Sequence, residues 1–225
     1  MTSASESLAP ATQPPAAASR WTSAEEFLRW EHPGIAEWVN GEVSITAVTN
    51  EHQWVVDFLN RLLGLFVQIY ELGIVRSAPY AMRAVPSGAI REPDLMFISR
   101  ANQGRLRREM LDGPSDLVVE VVSEESVARD YDDKFAEYQD AGVREYWIID
   151  PRPDRWPASF FQRDAQERLY PAPVDADDIY RSSALPGFWL KLAWLWQADP
   201  EPDALAALAE IVGPEKLIAA LRAQR

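Results

Sequence analysis

The stretch "EPDLMFISRANQGRLRREMLDGPSDLVVEVV", residues 92–122, holds two apolar runs, each carrying a carboxylate where Val or Leu would pack more favourably. Asp94 opens "LMFIS" and Glu120 stands inside "LVVEVV". Near-continuous apolar runs of this length predict strands covered on both faces, in the centre of a sheet. If the two strands are antiparallel neighbours, Asp94 and Glu120 meet at one edge of that sheet, because strands rise ~3.3 Å per residue and lie ~4.8 Å apart. A lone charge inside "LVVEVV" is costly, so Glu120 requires a partner or a task. Two carboxylates so close repel each other unless a cation neutralises them. With no cysteine and only two histidines in the chain, the donors are oxygens, which suit Mg²⁺ or Mn²⁺ better than Zn²⁺. The competing reading makes Asp94 a turn cap after Pro93 and pairs Glu120 with an arginine.

Upstream, "TSAEEFLRW" starts a helix, with Thr22 or Ser23 as cap and Glu25 or Glu26 three residues on. "AEWVNGEVSI" reads as two short strands joined at Asn40-Gly41, a strong hairpin signal. Over residues 50–71, Val55, Phe58, Leu59, Leu62, Leu63, Phe66 and Ile69 recur at helical spacing, and Gly73 ends the pattern. Strands are predicted at 74–85, 95–99 and 117–122. Downstream, residues 126–141 form a helix closed by Gly142, and "EYWIID" is a further buried strand stopped by Pro151 and Pro153. The helix between the last two strands spans a length suited to a parallel crossover. Beyond Pro157 come β-like pieces, then an Ala/Leu-rich helix from about residue 202. The order is helix, three-strand meander, helix, strand. It predicts one α/β domain over residues 21–200, with an N-terminal hairpin, a C-terminal β-rich extension, and a helical extension at 201–225. Residues 1–20, rich in Ala, Ser, Thr and Pro, read as a disordered tail and not a signal peptide.

The net charge of −13 excludes a strong, non-specific nucleic-acid binder, because phosphate affinity rests on Lys and Arg. It permits an enzyme that meets DNA through a metal-neutralised acidic site and a local basic loop. Arg100, Arg105, Arg107 and Arg108 supply such a loop, or else a solvated loop paired with neighbouring acids. The absence of cysteine rules out disulfides and thiolate metal sites and fits a reducing, cytoplasmic setting. No apolar stretch approaches membrane-spanning length; "LLGLFVQIY" is too short, and Gln68 interrupts it. With two histidines no Ser-His-Asp arrangement is convincing, and no glycine loop has phosphate-binding spacing.

"EPDLMFI", "DLVVEVVS", "RDYDDKFAEYQDAGVREYWIID" and the upstream "EWVNGEV…NEHQ" resemble the Uma-two (Uma2) family, described as putative restriction endonucleases of the PD-(D/E)XK nuclease superfamily. The resemblance runs over roughly residues 21–190. It implies a restriction endonuclease-like fold whose core order is the one read above. It also implies Asp94 and Glu120 as metal-binding, catalytic acids, Mg²⁺ or Mn²⁺ as the cofactor, and a DNA phosphodiester as the substrate. One departure stands out. The superfamily's lysine follows the second acid by two residues, where this chain has Val122. The family counterpart is Lys134 on the next helix. A helix starting near Asp130 brings Lys134 to the acids, since its side chain leans toward the helix N-terminus. A helix starting at Ser123 leaves it ~15 Å along the axis. As a surface residue, Lys134 would merely pair with Asp130 at i−4. Glu37 and His52 match family positions as auxiliary groups, either extra ligands or water-orienting residues. Tyr138 reads as a packing residue with its hydroxyl at the rim. The alternative function is a catalytically inactive binding or assembly module on the same fold.

Read as a strand, "FWLKLAWLW" is apolar on both faces. That predicts either burial against the domain's own sheet or a homodimer interface. The resemblance favours the homodimer, because restriction-like nucleases often dimerise and a two-fold pair can present two sites to the two strands of a duplex.

Overall fold

The two apolar runs are adjacent strands of one six-stranded sheet. A computed structural model describes residues 22–32, 34–123, 126–152, 158–196 and 202–223, so the expected tail at 1–20 lies outside the described residues. The chain opens with α1 (Ala24–Arg29), whose N-cap Ser23 and Glu26 form a capping box. Strands β1 (Ile35–Val39) and β2 (Glu42–Thr46) pair as a hairpin. Its turn holds Asn40 and Gly41 at φ 51° and 94°, the left-handed pair that this two-residue turn demands. Helix α2 (Asn50–Ile69) buries the periodic face read from the sequence and starts at N-cap Thr49.

Next come β3 (Gly73–Ser77), β4 (Ala81–Arg83), β5 (Leu95–Ser99), β6 (Met110–Asp112) and β7 (Leu117–Val121). Strands β3, β5 and β7 are antiparallel neighbours, the expected meander. The strand expected over 74–85 is split. It ends at Ser77 before Ala78-Pro79, and β4 leaves the sheet to pair in parallel with β6. Gly73 has a packing reason for its identity, because a Cβ there would lie 2.1 Å from the Ile98 carbonyl oxygen. A π-helical turn (Arg129–Asp133) leads into α3 (Lys134–Ala141), closed by Gly142 at φ 88°. Strand β8 (Glu145–Ile149) returns parallel to β7, as the crossover requires.

The remaining strands are β9 (Ala158–Arg163), β10 (Leu169–Pro171), β11 (Ile179–Arg181) and β12 (Trp189–Lys191). β9 and β10 extend the sheet, giving the order β10-β9-β8-β7-β5-β3. Helices α4 (Ala204–Val212) and α5 (Pro214–Ala223) close the described chain. One apolar cluster lies between the sheet and α2, with α4 and residues 180–195 (Phe58, Leu62, Trp147, Phe188). A second lies on the α3 side (Met96, Val118, Tyr138, Ile148). Burial of both sheet faces explains why β5, β7 and β8 lack polar alternation. Among the described residues, no helix is long and apolar enough to cross a membrane.

The segment "FWLKLAWLW" departs from expectation. It is a strand only to Lys191, then turns as a 3-10 helix over Leu192–Leu195. Phe188, Leu190 and Leu195 are buried in the chain's own core, and Trp194 packs edge-on against Phe58. The two bare faces of a continuous strand do not exist, so this segment gives no argument for a dimer interface. A homodimer then rests on the family resemblance alone.

Candidate active site

Leu95 of β5 pairs with Val119 of β7. One more step in this antiparallel register sets Asp94 opposite Glu120, on the same face of the sheet. Asp94 Oδ2 accepts a 2.7 Å hydrogen bond from the Val121 amide, which fixes the carboxylate against the neighbouring strand. Its other oxygen, Oδ1, lies 3.1 Å from His52 Nε2. His52 is in the first turn of α2, and its backbone amide donates to the Thr49 cap. A helix-end histidine is ordinarily solvated, but this one is buried, and its Nδ1 has no partner.

The π-turn settles the helix-start question. Helical winding starts at Val127, passes through a wider π-type turn over Arg129–Asp133, and reaches Lys134 about two turns in. Its ammonium reaches back to Glu37 Oε1 at 2.8 Å, Asp130 Oδ1 at 2.9 Å and Glu120 Oε2 at 3.0 Å. The Asp130 contact is an ion pair without a hydrogen bond to Oδ1. Glu120 Oε1 accepts from the Tyr138 hydroxyl at 2.9 Å. Tyr138 is therefore a fully buried partner of Glu120 and not a rim residue. No side chain among Glu37, His52, Asp94, Glu120, Asp130 and Lys134 is more than 5% exposed.

Glu37 comes from β1, and the hairpin is tied down beside the site. Trp38 and Ile90 exchange backbone hydrogen bonds at 2.8 Å, and the Ala36 amide donates to Glu92 Oε2 at 2.8 Å. Burial pushes the Glu37 carboxyl upward, but Lys134, Arg91 and Arg129 outweigh it and hold the group down at about 2. Arg91 bridges Glu37 at 3.0 Å and Glu137 at 2.9 Å. Arg129 lies 3.2 Å from Glu37 and donates to Thr46 Oγ1. Glu120 goes the other way. Burial first, then the charges of Asp130, Asp94 and Glu37, push it up to about 8 against the pull of Lys134. Lys134 is held above the ordinary lysine range, because three carboxylates overcome the burial that would lower it. Glu92 is likewise raised, to about 7, mainly by burial, and pairs with His32 Nε2 at 3.1 Å. One lysine serving several acids leaves the cluster short of positive charge.

A model of the Uma2 family, "Putative restriction endonuclease", matches residues 24–193. The chain belongs to the Uma2 family. Among solved structures it is similar to a protein from Anabaena variabilis ATCC 29413, whose crystal structure is described as a putative nuclease belonging to DUF820. Identity is 13%, the TM-score is 0.60, and the match covers 77% of this chain and 96% of that one. That likeness supports the restriction endonuclease-like α/β fold. No curated protein matches the chain.

The Uma2 cleft offers a hard cation two facing carboxylates, Asp94 and Glu120. Among the described residues, no three His, Asp or Glu side chains are grouped closely enough to hold a metal alone. Mg²⁺ is compatible with this, since it keeps several waters and takes only one or two carboxylates from the protein. The excess of acids over the lysine, and the Glu120 proton affinity that follows from it, fit a site made for added positive charge.

The basic loop sends none of its arginines into this cleft. Arg100 follows β5 at the end opposite Asp94, roughly 17 Å away for five residues of strand. Its arginines are engaged locally: Arg100 with Glu71, Arg105 with the Pro114 carbonyl, Arg107 with the Gly104 and Leu106 carbonyls, and Arg108 beside Glu109. Sequence reasoning passed over Arg91, Arg129 and the inward role of Asp130. It also missed Glu145, a buried acid in "EYWIID" that serves a different purpose. The Trp147 indole and the Tyr180 hydroxyl donate to its Oε1, while Ser182, Ser183 and the Ala184 amide donate to Oε2.

Proposed function

We propose that the cleft is the active site of a metal-dependent endonuclease hydrolysing DNA phosphodiester bonds. The observation that carries this reading is the Lys134 ammonium, 2.8–3.0 Å from Glu37, Glu120 and Asp130, in a cleft that Asp94 also lines. A lysine and paired acids from two central strands are the residue types that phosphodiester hydrolysis needs, and membership of a family described in nuclease terms points the same way. A Mg²⁺ or Mn²⁺ ion held by Asp94 and Glu120 would neutralise charge and acidify a bound water. Lys134 sets a permanent cation where negative charge builds on the phosphoryl group. Glu37 and Asp130 keep that ammonium from swinging away. His52 holds one oxygen of Asp94, and the Val121 amide holds the other, so the carboxylate keeps one orientation. Asp94, Glu120 and Lys134 carry the chemistry; Glu37 and His52 position them.

The test is Mn²⁺-dependent cleavage of labelled DNA by the wild type, with Asp94→Asn and Glu120→Gln as controls. Both variants should lose activity by more than about a hundredfold, as expected when a group acting on the transition state is removed. Among the described residues no three-residue chelating group is present, which favours a second reading, a non-catalytic module with this fold. A wild type showing neither cleavage nor a Mn²⁺-dependent rise in Tm would establish that reading instead.

A further inference from the structure

The acidic cleft shares a wall with a larger neighbour. Ile35, His52 and Asp94 line both the cleft and an adjoining pocket of about 340 Å³. Helix α2, which carries His52, runs along that pocket away from the shared wall. Gln53, Asp57 and Asn60, spaced i, i+4, i+7, put one polar stripe of the helix toward it. Asp57 is tied by the Gln53 amide at 3.0 Å. Apolar surface comes from Val56 and Pro79, and Ser77 adds a hydroxyl. No Lys or Arg is among the described residues lining it, and Asp57 and Asp94 contribute negative charge. Such a lining repels phosphate and accepts a flat, neutral body with hydrogen-bonding edges. His52, in the shared wall, keeps its Nδ1 buried and unpartnered.

We infer that this pocket receives the base of a nucleotide flanking the scissile phosphate, so that the substrate is an unpaired strand. The inference rests on the nuclease reading of the adjacent cleft. A base lodged beside Asp94 places its own backbone phosphate at the mouth of the cleft. In a continuous duplex that base is stacked and paired and cannot enter; extracting it costs a few kcal/mol. Burial of the acids argues the same way. With Asp94, Glu120 and Lys134 at most 5% exposed, a single strand can reach them where the smooth flank of a double helix cannot.

The experiment compares one sequence as single-stranded DNA, single-stranded RNA, blunt duplex, and duplex with a single-stranded flap. Initial rates are measured in Mn²⁺, and binding is followed by fluorescence anisotropy in Ca²⁺. Asn60→Trp fills the pocket from an exposed helix position, and its Tm and Mn²⁺-induced Tm shift verify the fold and the cation site. If Asn60→Trp does not fold, Asn60→Ala removes the polar edge instead. Unpaired substrates should be preferred over blunt duplex by about a hundredfold, from the cost of extracting a base. The variant should bind unpaired strands about tenfold more weakly, the scale of losing one base contact. Equal or better handling of blunt duplex, or unchanged binding by the variant, overturns the inference. The RNA arm reports which sugar the site takes. If binding behaves as expected but nothing is cleaved, the nuclease reading fails while the pocket assignment stands.

Discussion

Glu120 and Glu145 sit on neighbouring parallel strands, three residues apart in register, on opposite faces of the sheet. Both are buried acids inside apolar runs, and their surroundings differ in kind. Glu145 receives six hydrogen bonds from neutral donors, every oxygen satisfied. It clasps residues 180–184 to the start of β8 and needs nothing more. Glu120 shares one lysine with Glu37 and Asp130 and faces Asp94, and burial with those neighbouring acids pushes its carboxyl up to about 8. A buried acid saturated by neutral dipoles is a fastening. A buried acid competing for too little positive charge is where the proposed cation would bind.

The largest effects should come from removing the centre of each region. Lys134→Met strips several buried carboxylates of their lysine and should cost ~3–5 kcal/mol of stability. Mn²⁺ or a lower pH should recover part of that loss, because either one neutralises the acids left behind. The role of Lys134 in turnover is therefore read only where the variant remains folded. Glu145→Ala should cost a similar amount, by leaving several buried donors unpaired at ~1–3 kcal/mol each before relaxation. Neither Mn²⁺ nor acid should rescue it. Denaturant melts with and without Mn²⁺ measure both; identical rescue of the two variants would erase the contrast.

Glu120→Gln should be smaller and of opposite character. It keeps an acceptor for Tyr138 while removing one of the crowded charges, so metal-free stability should stay within about 1 kcal/mol of wild type or rise. Its Mn²⁺-dependent Tm shift should vanish, whereas Glu145→Gln should keep the shift. A preserved shift in Glu120→Gln would remove Glu120 from the cation site.

The pH dependence of metal-free stability follows from the same crowding. Glu120, raised from 4.5 to about 8, and Glu92, raised to about 7, bind more protons folded than unfolded. Their contribution is therefore present below about pH 4.5 and lost as pH rises toward 7–8. Glu37, lowered to about 2, contributes stability above 4.5 that is lost as pH falls through 2. These groups make the metal-free protein more stable near pH 5 than near pH 8. Saturating Mn²⁺ should flatten the alkaline arm, since it replaces the proton on Glu120. Tm measured across pH, with EDTA and with Mn²⁺, tests this; a metal-free protein more stable at pH 8 than at 5 would contradict it. The smallest effect belongs to the basic loop. Arg105→Ala and Arg107→Ala together should leave nucleic-acid binding within about twofold and its salt slope unchanged, because both are tied to nearby backbone carbonyls and neither lines the cleft.

The two acids were legible because Asp94 opens one apolar run and Glu120 interrupts another, and the antiparallel register decides that they share a face. The same signal marked Glu145 in "EYWIID" and went unread. A buried acid's partners are chosen by tertiary contacts, here residues 180–184, far along the chain. Lys134 was conditional on where its helix starts, and no capping residue announces a π-turn. Asp130 was visible as the i−4 partner of Lys134, but its inward direction comes from that turn. "FWLKLAWLW" misled because a run with apolar residues at nearly every position satisfies strand, helix and turn alike. Only the buried set Phe188, Leu190 and Leu195 separates them.

The wide turn at Arg129–Asp133 sets the angular phase of everything after it. Were the same residues wound as ordinary α with none lost, the surplus residue would rotate the following side chains by about 100°. Lys134 and Tyr138 lie on one face of that helix, so they would swing off Glu120 together. The number of residues between Glu120 and Lys134 thus carries as much of the site's instruction as the identities at its two ends.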